Sequence, residues 1–274
     1  GFSVIDYRKI NKEFGNWKDV CKIGNKFNLM FDFVLNHVSF KSVYFKEYLK
    51  GNNDFFIDVD PKTDLSKIFR PRTSPLLTKF GKKHIWTTFS ADQVDLNFKN
   101  PKVLVEFVDL LLFFVKNKAK LIRLDAIAFL WKDIKTSSLH LKQTHEIVKL
   151  LRDVLEEVNP NVLIVTETNV PHKENISYFG NNDEAHMVYQ FSLPPLVLHA
   201  LLKQDSSYLT KWVKSLGNTK KGTTYFNFLA SHDGIGVLPA KGLIPEKDRL
   251  DLAQEVKKRK GFVSYKTVGK TKEP

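Results

Sequence analysis

The alternation of short apolar runs with longer amphipathic segments most constrains how this chain can fold. The apolar runs lie at residues 29–34, 121–125, 161–166, 185–191 and 225–230. Apolar residues at helical spacing predict helices at residues 16–27, 101–116, 139–158, 194–216 and 245–260. Strands that are apolar along most of their length and alternate with helices indicate a parallel sheet covered on both faces.

This pattern predicts an α/β fold, a (β/α)8 TIM barrel. An extended piece at residues 1–7 adds a sixth strand to the five apolar runs. A complete barrel has eight units, so roughly six of the eight are expected in this chain. The barrel is therefore predicted to be incomplete.

Residues 38–100 interrupt the alternation soon after the strand that begins at Leu29. They are rich in aromatic and charged residues and contain Pro61, Pro71 and Pro75. A segment of this length without a clear period is too long for an ordinary loop and indicates an irregular functional insertion. The predicted organisation is residues 1–37 as the barrel start, 38–100 as an inserted subdomain, and 101–274 as the remainder of the barrel.

The composition fits a globular protein. The 274 residues are 42% hydrophobic, which is enough for a substantial core. The longest apolar stretch, residues 103–115, contains Glu106 and Asp109, so no membrane span is expected. The first residues lack the pattern of a signal peptide. With Cys21 as the single cysteine, we expect no internal disulfide and a cytoplasmic location.

The net charge of +13 raises the question of a nucleic-acid partner. The excess is lysine spread along the chain, whereas nucleic-acid binding proteins cluster basic residues on one face and use arginine to contact bases. We therefore predict no nucleic-acid partner. A basic surface still raises the local concentration of small anions such as phosphate.

Polar side chains stand at the ends of four apolar runs. Arg123 and Asp125 lie two apart, so period-two alternation places both on one side of their strand. Taken alone, such a pair is either a structural ion pair or part of a site. The other strand ends carry Asp32, Asn36, His37, Glu167, His232 and Asp233. In a parallel barrel these ends meet at one mouth, and this convergence favours a site.

Three carboxylates from separate strands suit cleavage of a glycosidic bond with retention of configuration. One carboxylate attacks the anomeric carbon, and a second protonates the leaving oxygen. A third supports the positive charge of the transition state. The histidines have no spacing typical of a metal site, so no metal is predicted.

These segments resemble the four motif regions of the α-amylase family of glycoside hydrolases. The matching pieces, in order, are residues 32–37, 123–126, Glu167 and 232–233. A more specific resemblance is to the sucrose phosphorylase branch, in residues 86–89, 124–129, 191–196 and 232–236. The resemblance implies a glycosyltransferase that moves a glucosyl group from an α-glucoside to phosphate, without a cofactor.

The resemblance also implies roles for nine residues. Asp125 is expected to be the nucleophile, Glu167 the general acid and base, and Asp233 the transition-state stabiliser. The residues expected to bind the sugar are His37, Arg123, His232, Phe89, Gln93 and Phe2.

One position departs from the enzymes of this branch that act on sucrose. Those enzymes resemble each other in a histidine two residues after the catalytic glutamate, where this chain has Asn169. This version is similar to the glucosylglycerate phosphorylases of the same branch. We therefore expect glyceric acid or a similar acceptor in place of fructose.

The resemblance further implies that the chain is a fragment that lacks the last barrel units and a C-terminal domain. An open barrel leaves strand edges unpaired, which predicts a homodimer or other self-association. Alternatives to a phosphorylase that uses glucosylglycerate are a sucrose phosphorylase and a hydrolase of the α-glucosidase or amylase type. An alternative of another class is a non-catalytic scaffold or an inactive fragment.

Overall fold

The structure is a computed structural model and describes residues 2–268 and 271–273. The chain forms two compact units. The first comprises Gly1–Thr168 with Asp183–Ala185, and the second comprises Asn169–Asn182 with His186–Pro274. The predicted boundaries after residues 37 and 100 stay predictions.

The secondary structure follows in chain order. The strands are β1 (Leu29–Val34), β2 (His37–Ser39), β3 (Leu77–Phe80), β4 (Lys83–Trp86), β5 (Gln93–Asp95), β6 (Ala119–Asp125), β7 (Leu163–Thr166), β8 (Met187–Tyr189), β9 (Thr224–Phe226), β10 (Lys266–Val268) and β11 (Thr271–Glu273). The helices are α1 (Trp17–Gly24), α2 (Val43–Leu49), α3 (Pro101–Lys116), α4 (Lys142–Val158), α5 (His172–Ile176), α6 (Leu193–Lys203), α7 (Ser207–Ser215) and α8 (Glu246–Lys258).

In the first unit β1, β6 and β7 form the barrel sheet. β1 pairs with β6 in parallel, and β6 pairs with β7 in parallel. The register places Asp32 opposite Arg123 and Val34 opposite Asp125. It also places Leu124 opposite Thr166, directly before Glu167. The polar residues predicted at these strand ends therefore lie along one edge of the sheet.

Helix α3 covers this sheet and has the bounds that the sequence predicted. Its start is set by the Asn100 side chain, which accepts a hydrogen bond from Lys102 N at 3.0 Å, and by proline at the first helical position. The buried face carries Phe107 and Phe114, whose rings lie 6.0 and 5.5 Å from that of Phe33 on β1. This aromatic layer forms much of the core beneath the strands.

The insertion has more regular structure than the sequence predicted. It contains α2 and two antiparallel strand pairs, β2 with β5 and β3 with β4. An aromatic cluster holds it together, in which the Phe45 ring lies 5.0 Å from Phe56 and 4.8 Å from Phe80. A seven-residue helix and strands of three or four residues leave little periodicity in a sequence, so these elements were not predicted, and most of residues 38–100 is irregular as expected.

The strand predicted at residues 1–7 is also wrong over residues 2–7, which the structure describes. Those residues form bends and a turn, with Asp6 accepting a hydrogen bond from Arg8 N at 2.9 Å. The Tyr7 hydroxyl donates to the Val34 carbonyl at 2.5 Å, so the segment is attached to the end of β1. The expected strand does not form because the contact of this segment with β2, from Ser39 N to the Val4 carbonyl at 2.9 Å, does not continue as a ladder of backbone hydrogen bonds.

The second unit contains β8 and β9, which pair in parallel. Its core is formed by Leu196, Trp212, Ala240, Ile244 and Leu252, contributed by α6, α7, the short helix Leu238–Ala240, the loop that follows it, and α8. Residues 194–216 were predicted as one helix, and this was wrong because α6 ends at Gln204, which adopts a left-handed conformation with φ 54°. After α8, β10 pairs with β11 in an antiparallel arrangement.

The described residues include five strands of barrel type, β1, β6, β7, β8 and β9, whereas the sequence predicted six. Of the residues that the structure describes, none belongs to a helix long and apolar enough to cross a membrane.

Candidate active site

Arg123 and Asp125 form the centre of the candidate site at the end of β6. Arg123 Nη1 donates to Asp125 Oδ1 at 2.7 Å and to Asp32 Oδ1 at 2.5 Å. The Arg123 side chain is only 6% exposed, so both contacts lie largely out of water on its side. Burial lowers the pKa of Arg123, but the neighbouring carboxylates of Asp125, Asp32 and Glu167 outweigh it and raise the pKa above its ordinary value.

Glu167 is attached to the same strand end through the backbone. Its Oε2 accepts a hydrogen bond from Ala126 N at 3.0 Å, and its own N–H donates to the Leu124 carbonyl at 3.0 Å. Ala126 adopts a left-handed conformation with φ 49°, which alanine takes only at a cost in energy. Glu167 is therefore fixed beside the backbone that carries Asp125.

The Arg123, Asp125 and Glu167 side chains form one wall of the site. His37 forms a second, aromatic wall together with Phe89 and Gln93. Its ring lies 5.4 Å from the Phe89 ring, and its Nε2 lies 2.8 Å from Gln93 Nε2 and 3.0 Å from the Phe2 carbonyl oxygen. Burial lowers the pKa of His37 to about 4, against the attraction of Asp95. The imidazole is therefore neutral at neutral pH.

Phe2 connects the two walls. Its carbonyl oxygen contacts His37, and its ring lies 5.4 Å from the Arg123 guanidinium in a cation–π contact. Seven of the nine predicted site residues thus lie in the first unit and are linked by direct contacts or shared backbone: Phe2, His37, Phe89, Gln93, Arg123, Asp125 and Glu167.

His232 and Asp233 belong to the second unit. They lie in a turn after β9 in which Asp233 N donates to the Ser231 hydroxyl at 3.2 Å. His232 Nε2 lies 3.3 Å from Asp233 Oδ2, and the two side chains are 52% and 59% exposed. Their membership of one catalytic set with Asp125 stays a prediction.

A buried polar cluster that was not predicted from the sequence lies behind His37. Lys132 Nζ lies 2.8 Å from Asp95 Oδ2, and the side chains are 4% and 0% exposed. Asp95 also accepts from Thr88 N at 2.9 Å. The available signal was a lysine that directly follows an apolar stretch, residues 127–131, where a charge needs a buried partner.

The seven residues bring together two carboxylates, Asp125 and Glu167, and the positive charge of Arg123, which is bound to Asp125. In the parts of the chain that the structure describes, no group of three or more histidine, cysteine or acidic residues could hold a metal ion. Chemistry based on protein carboxylates is what this arrangement supports.

The fold and the carboxylate-bearing strand ends define a barrel of the type used by enzymes that act on glycosidic bonds. Residues 1–242 match the family model described as alpha amylase, catalytic domain. The chain belongs to this family. The predicted resemblance and the barrel class are both confirmed.

Within this family, the chain is similar to several disaccharide phosphorylases. The chain is 56% identical to a glucosylglycerate phosphorylase of Spirochaeta thermophila and 53% identical to one of Escherichia coli, over 97% of this chain in each case. It covers 47% and 49% of those proteins and so spans about half their length. A crystal structure of sucrose 6F-phosphate phosphorylase from Thermoanaerobacter thermosaccharolyticum superposes with a TM-score of 0.85 at 27% identity, covering 98% of this chain and 58% of that one.

Proposed function

We propose that the protein is a retaining α-glucoside phosphorylase that acts on glucosylglycerate. The observation that carries this proposal is the Arg123–Asp125 pair, joined at 2.7 Å, with Glu167 bound to the next backbone N–H. The identity of 53% to 56% to glucosylglycerate phosphorylases supports the choice of substrate.

In the proposed reaction Asp125 attacks the anomeric carbon of the glucosyl group. Glu167 donates a proton to the glycosidic oxygen as that bond breaks, and glycerate leaves. A covalent bond between glucose and Asp125 results. Phosphate then attacks the same carbon and gives up a proton to Glu167, the bond to Asp125 breaks, and α-glucose 1-phosphate is released.

Arg123 prepares Asp125 for this attack. A carboxylate must be ionised to act as a nucleophile, and an adjacent guanidinium favours the ionised form. Arg123 contacts both Asp32 and Asp125, so its position is fixed before substrate binds. Asp233 is proposed to stabilise the oxocarbenium-like transition state, and His232 to bind the sugar.

A basic segment next to the aromatic wall is suited to bind phosphate. The Ser74 hydroxyl donates to the Phe89 carbonyl at 3.0 Å, and Phe69 N donates to the Ser137 carbonyl at 3.0 Å. The segment between them carries Arg72, which is exposed, and Arg70, whose guanidinium donates to the carbonyls of Thr73 and Ser74. Guanidinium groups form strong paired hydrogen bonds with phosphate and carboxylate.

Replacing Arg72 by alanine tests this part of the proposal. We expect the KM for phosphate to rise about tenfold to a hundredfold, because one charge-assisted hydrogen bond contributes about 1.5 to 3 kcal/mol. Initial-rate measurements at varied phosphate check it. Lys62→Ala, which removes a positive charge elsewhere on the insertion, should leave this KM unchanged.

The acceptor is proposed to be glyceric acid because Asn169 replaces the histidine of the sucrose-specific enzymes. In the second unit Asn169 lies against the loop that follows Asp233: a Cβ built on Gly236 would lie 3.4 Å from Asn169 Nδ2. An amide at this position adds a hydrogen-bond donor near Gly236 without adding a bulky ring.

Incubation of the intact protein with α-glucose 1-phosphate and glycerate tests the function. We expect inorganic phosphate to be released in proportion to glucosylglycerate formed. Fructose in place of glycerate distinguishes a sucrose phosphorylase. Free glucose formed without an acceptor indicates a hydrolase, and no reaction with any acceptor would overturn the proposal.

Two further parts of the proposal concern the molecule outside the site. We propose a cytoplasmic location, which the single cysteine supports because reducing compartments do not maintain disulfides. We also propose that the chain self-associates through an unpaired strand edge.

A further inference from the structure

The buried pair of Lys132 and Asp95 lies directly behind His37. Removing two charges from water costs several kcal/mol per ion unless both are fully hydrogen-bonded. Asp95 meets this condition, since its oxygens accept from Lys132 at 2.8 Å, from Asn36 Nδ2 at 3.1 Å, and from Thr88 N and Oγ1 at 2.9 and 2.5 Å. The pair is thus bound on several sides and cannot easily rearrange.

Asn36 lies between this pair and His37, and its amide has only one allowed orientation. Lys132 Nζ donates to Asn36 Oδ1, and Asn36 Nδ2 donates to Asp95 Oδ2. An ammonium group can only donate and an ionised carboxylate can only accept. Turning the amide over would place donor against donor and acceptor against acceptor.

The fixed amide determines where the proton of His37 resides. Asn36 Nδ2 lies 3.1 Å from His37 Nδ1, so Nδ1 must accept and carries no proton. On the other side of the ring, Nε2 lies 3.0 Å from the Phe2 carbonyl oxygen, which can only accept. Nε2 therefore carries the proton, and the ring is neutral.

The proton on His37 Nε2 also determines the orientation of the Gln93 amide. Its amide nitrogen lies 2.8 Å from His37 Nε2, and its oxygen lies 2.8 Å from the Ser90 hydroxyl. With a proton on Nε2, the Gln93 amide is expected to turn its oxygen toward His37. The Ser90 hydroxyl can then accept from the Gln93 NH2 group, since a hydroxyl both donates and accepts.

We propose that Lys132 and Asp95 are positioning residues that act through Asn36 to hold His37 as a neutral imidazole protonated on Nε2. The Nε2–H group in turn holds the Phe2 carbonyl, and so keeps the Phe2 ring against Arg123. The protonation of His37 does not depend on the proposed function. The binding of a sugar by His37 and Arg123 does rest on it.

Burial is the largest effect on His37 and favours the neutral ring. Of the charged groups that face it, Lys132 acts in the same direction, whereas Asp95 and Asp92 favour the protonated ring. Asp92 is held by the Ser39 hydroxyl, which donates to it at 2.8 Å. Because Lys132 and Asp95 together carry no net charge, removing both leaves the local charge balance of His37 nearly unchanged.

The test compares Asp95→Asn with the double variant Asp95→Asn, Lys132→Met. In the single variant Lys132 still holds Asn36, so His37 Nδ1 should stay unprotonated. In the double variant Asn36 can turn its oxygen to Nδ1 and stabilise a second proton. We expect the midpoint of Nδ1 protonation to rise from about 4 by roughly one unit, because the amide oxygen of Asn36 favours the charged ring while the burial of His37 is unchanged.

Nitrogen NMR of histidine-labelled intact protein, titrated from pH 8 to about pH 4, reports the protonation of each ring nitrogen without requiring activity. The free energies of unfolding of the two variants should also differ. The single variant leaves Lys132 as an unpaired buried charge and should be less stable than the double variant. Glu184→Gln is a matched control, because it alters a buried carboxylate bound to His145 at 2.7 Å and should leave the His37 signals unchanged.

Three results would overturn the proposal: a proton on Nδ1 in the parent at pH 7, a double variant that titrates like the parent, or a single variant that already frees Nδ1. If Asp95→Asn does not fold, the comparison of the parent with the double variant decides. In an active enzyme, the double variant should also show a higher KM for the glucoside with a smaller change in kcat. If no glucoside is a substrate, the proposed function fails while the NMR result stands on its own.

Discussion

At the scale of single residues, the position of Arg123 limits what Asp125 can do. The guanidinium contacts Asp125 on one side and Asp32 on the other, while the Asp125 side chain is 12% exposed and that of Asp32 is 46% exposed. The two carboxylates share one cation, but they differ in their access to water. Asp125 is therefore the carboxylate whose charge depends more on Arg123.

Replacing Asp125 by asparagine should abolish turnover while leaving the fold intact. Asparagine keeps the size of the side chain but cannot form a covalent bond to the sugar, so we expect at least about a 10³-fold loss of kcat. Phosphate release from α-glucose 1-phosphate checks the activity, and circular dichroism checks the fold. Asp109→Asn is the matched control, since Asp109 also pairs with an arginine, Arg8, but is 67% exposed. Equal turnover in parent and Asp125→Asn would exclude Asp125 as the nucleophile.

His37 predicts a pH dependence of stability. Its pKa in the folded protein is about 4, below the value of about 6.5 in an unfolded chain. Between these values only the unfolded chain binds the proton, so stability decreases as the pH falls from about 6.5 to about 4. The decrease from this residue should be about 3 kcal/mol.

Urea unfolding of the parent and of His37→Gln at a series of pH values measures this contribution. Other titrating groups are common to both proteins and cancel in the difference. The two free energies of unfolding should run parallel above pH 6.5 and converge below it. A constant difference across the range would contradict the buried neutral histidine.

The residues of the site differ in how far the sequence could predict them. Arg123 and Asp125 were predictable because a strand places alternate residues on one side. Lys132 was not, because it follows the strand by seven positions and its partner Asp95 is 37 positions away. The contact between Lys132 and Asp95 depends on the position of β5, which carries Asp95 and is held by its pairing with β2.

At the scale of secondary structure, predictions were accurate where a local signal marked the end of an element. Helix α3 begins at Pro101 with the Asn100 cap, and both are visible in the sequence. The break between α6 and α7 has no glycine or proline to mark it. Gln204 takes a conformation that glycine would adopt more easily, and Asp205 N donates to the Ala200 carbonyl at 3.1 Å to close α6.

Replacing Gln204 by glycine should stabilise the protein by roughly 0.5 to 1 kcal/mol. The gain comes from removing the steric cost of a side chain at positive φ, reduced by the greater flexibility of glycine in the unfolded chain. Leu201→Gly, at a position of α6 that is 72% exposed, should instead destabilise the protein by about 1 kcal/mol. Urea unfolding of both variants measures whether the free energy of unfolding rises in Gln204→Gly and falls in Leu201→Gly.

At the scale of the whole molecule, barrel closure is the property that sequence patterns predict least directly. The class of fold follows from alternating strands and helices, but the number of paired strands depends on contacts far apart in the chain. In the first unit, β6 is paired on both sides, by β1 and β7. Among the described residues, β1 is paired on one side only.

The free edge of β1 predicts self-association of the 274-residue chain. An unpaired strand presents backbone donors and acceptors to another chain, and Met30 on β1 is 41% exposed. We expect light scattering after size exclusion to show concentration-dependent oligomers. Met30→Lys should weaken association at least about tenfold, because a charge on an edge strand opposes pairing with a second chain.

Val105→Lys adds the same charge at a position of α3 that is 68% exposed and should have no effect. Equal weakening by both variants would attribute association to overall charge, and a chain that stays monomeric at all concentrations would contradict the prediction.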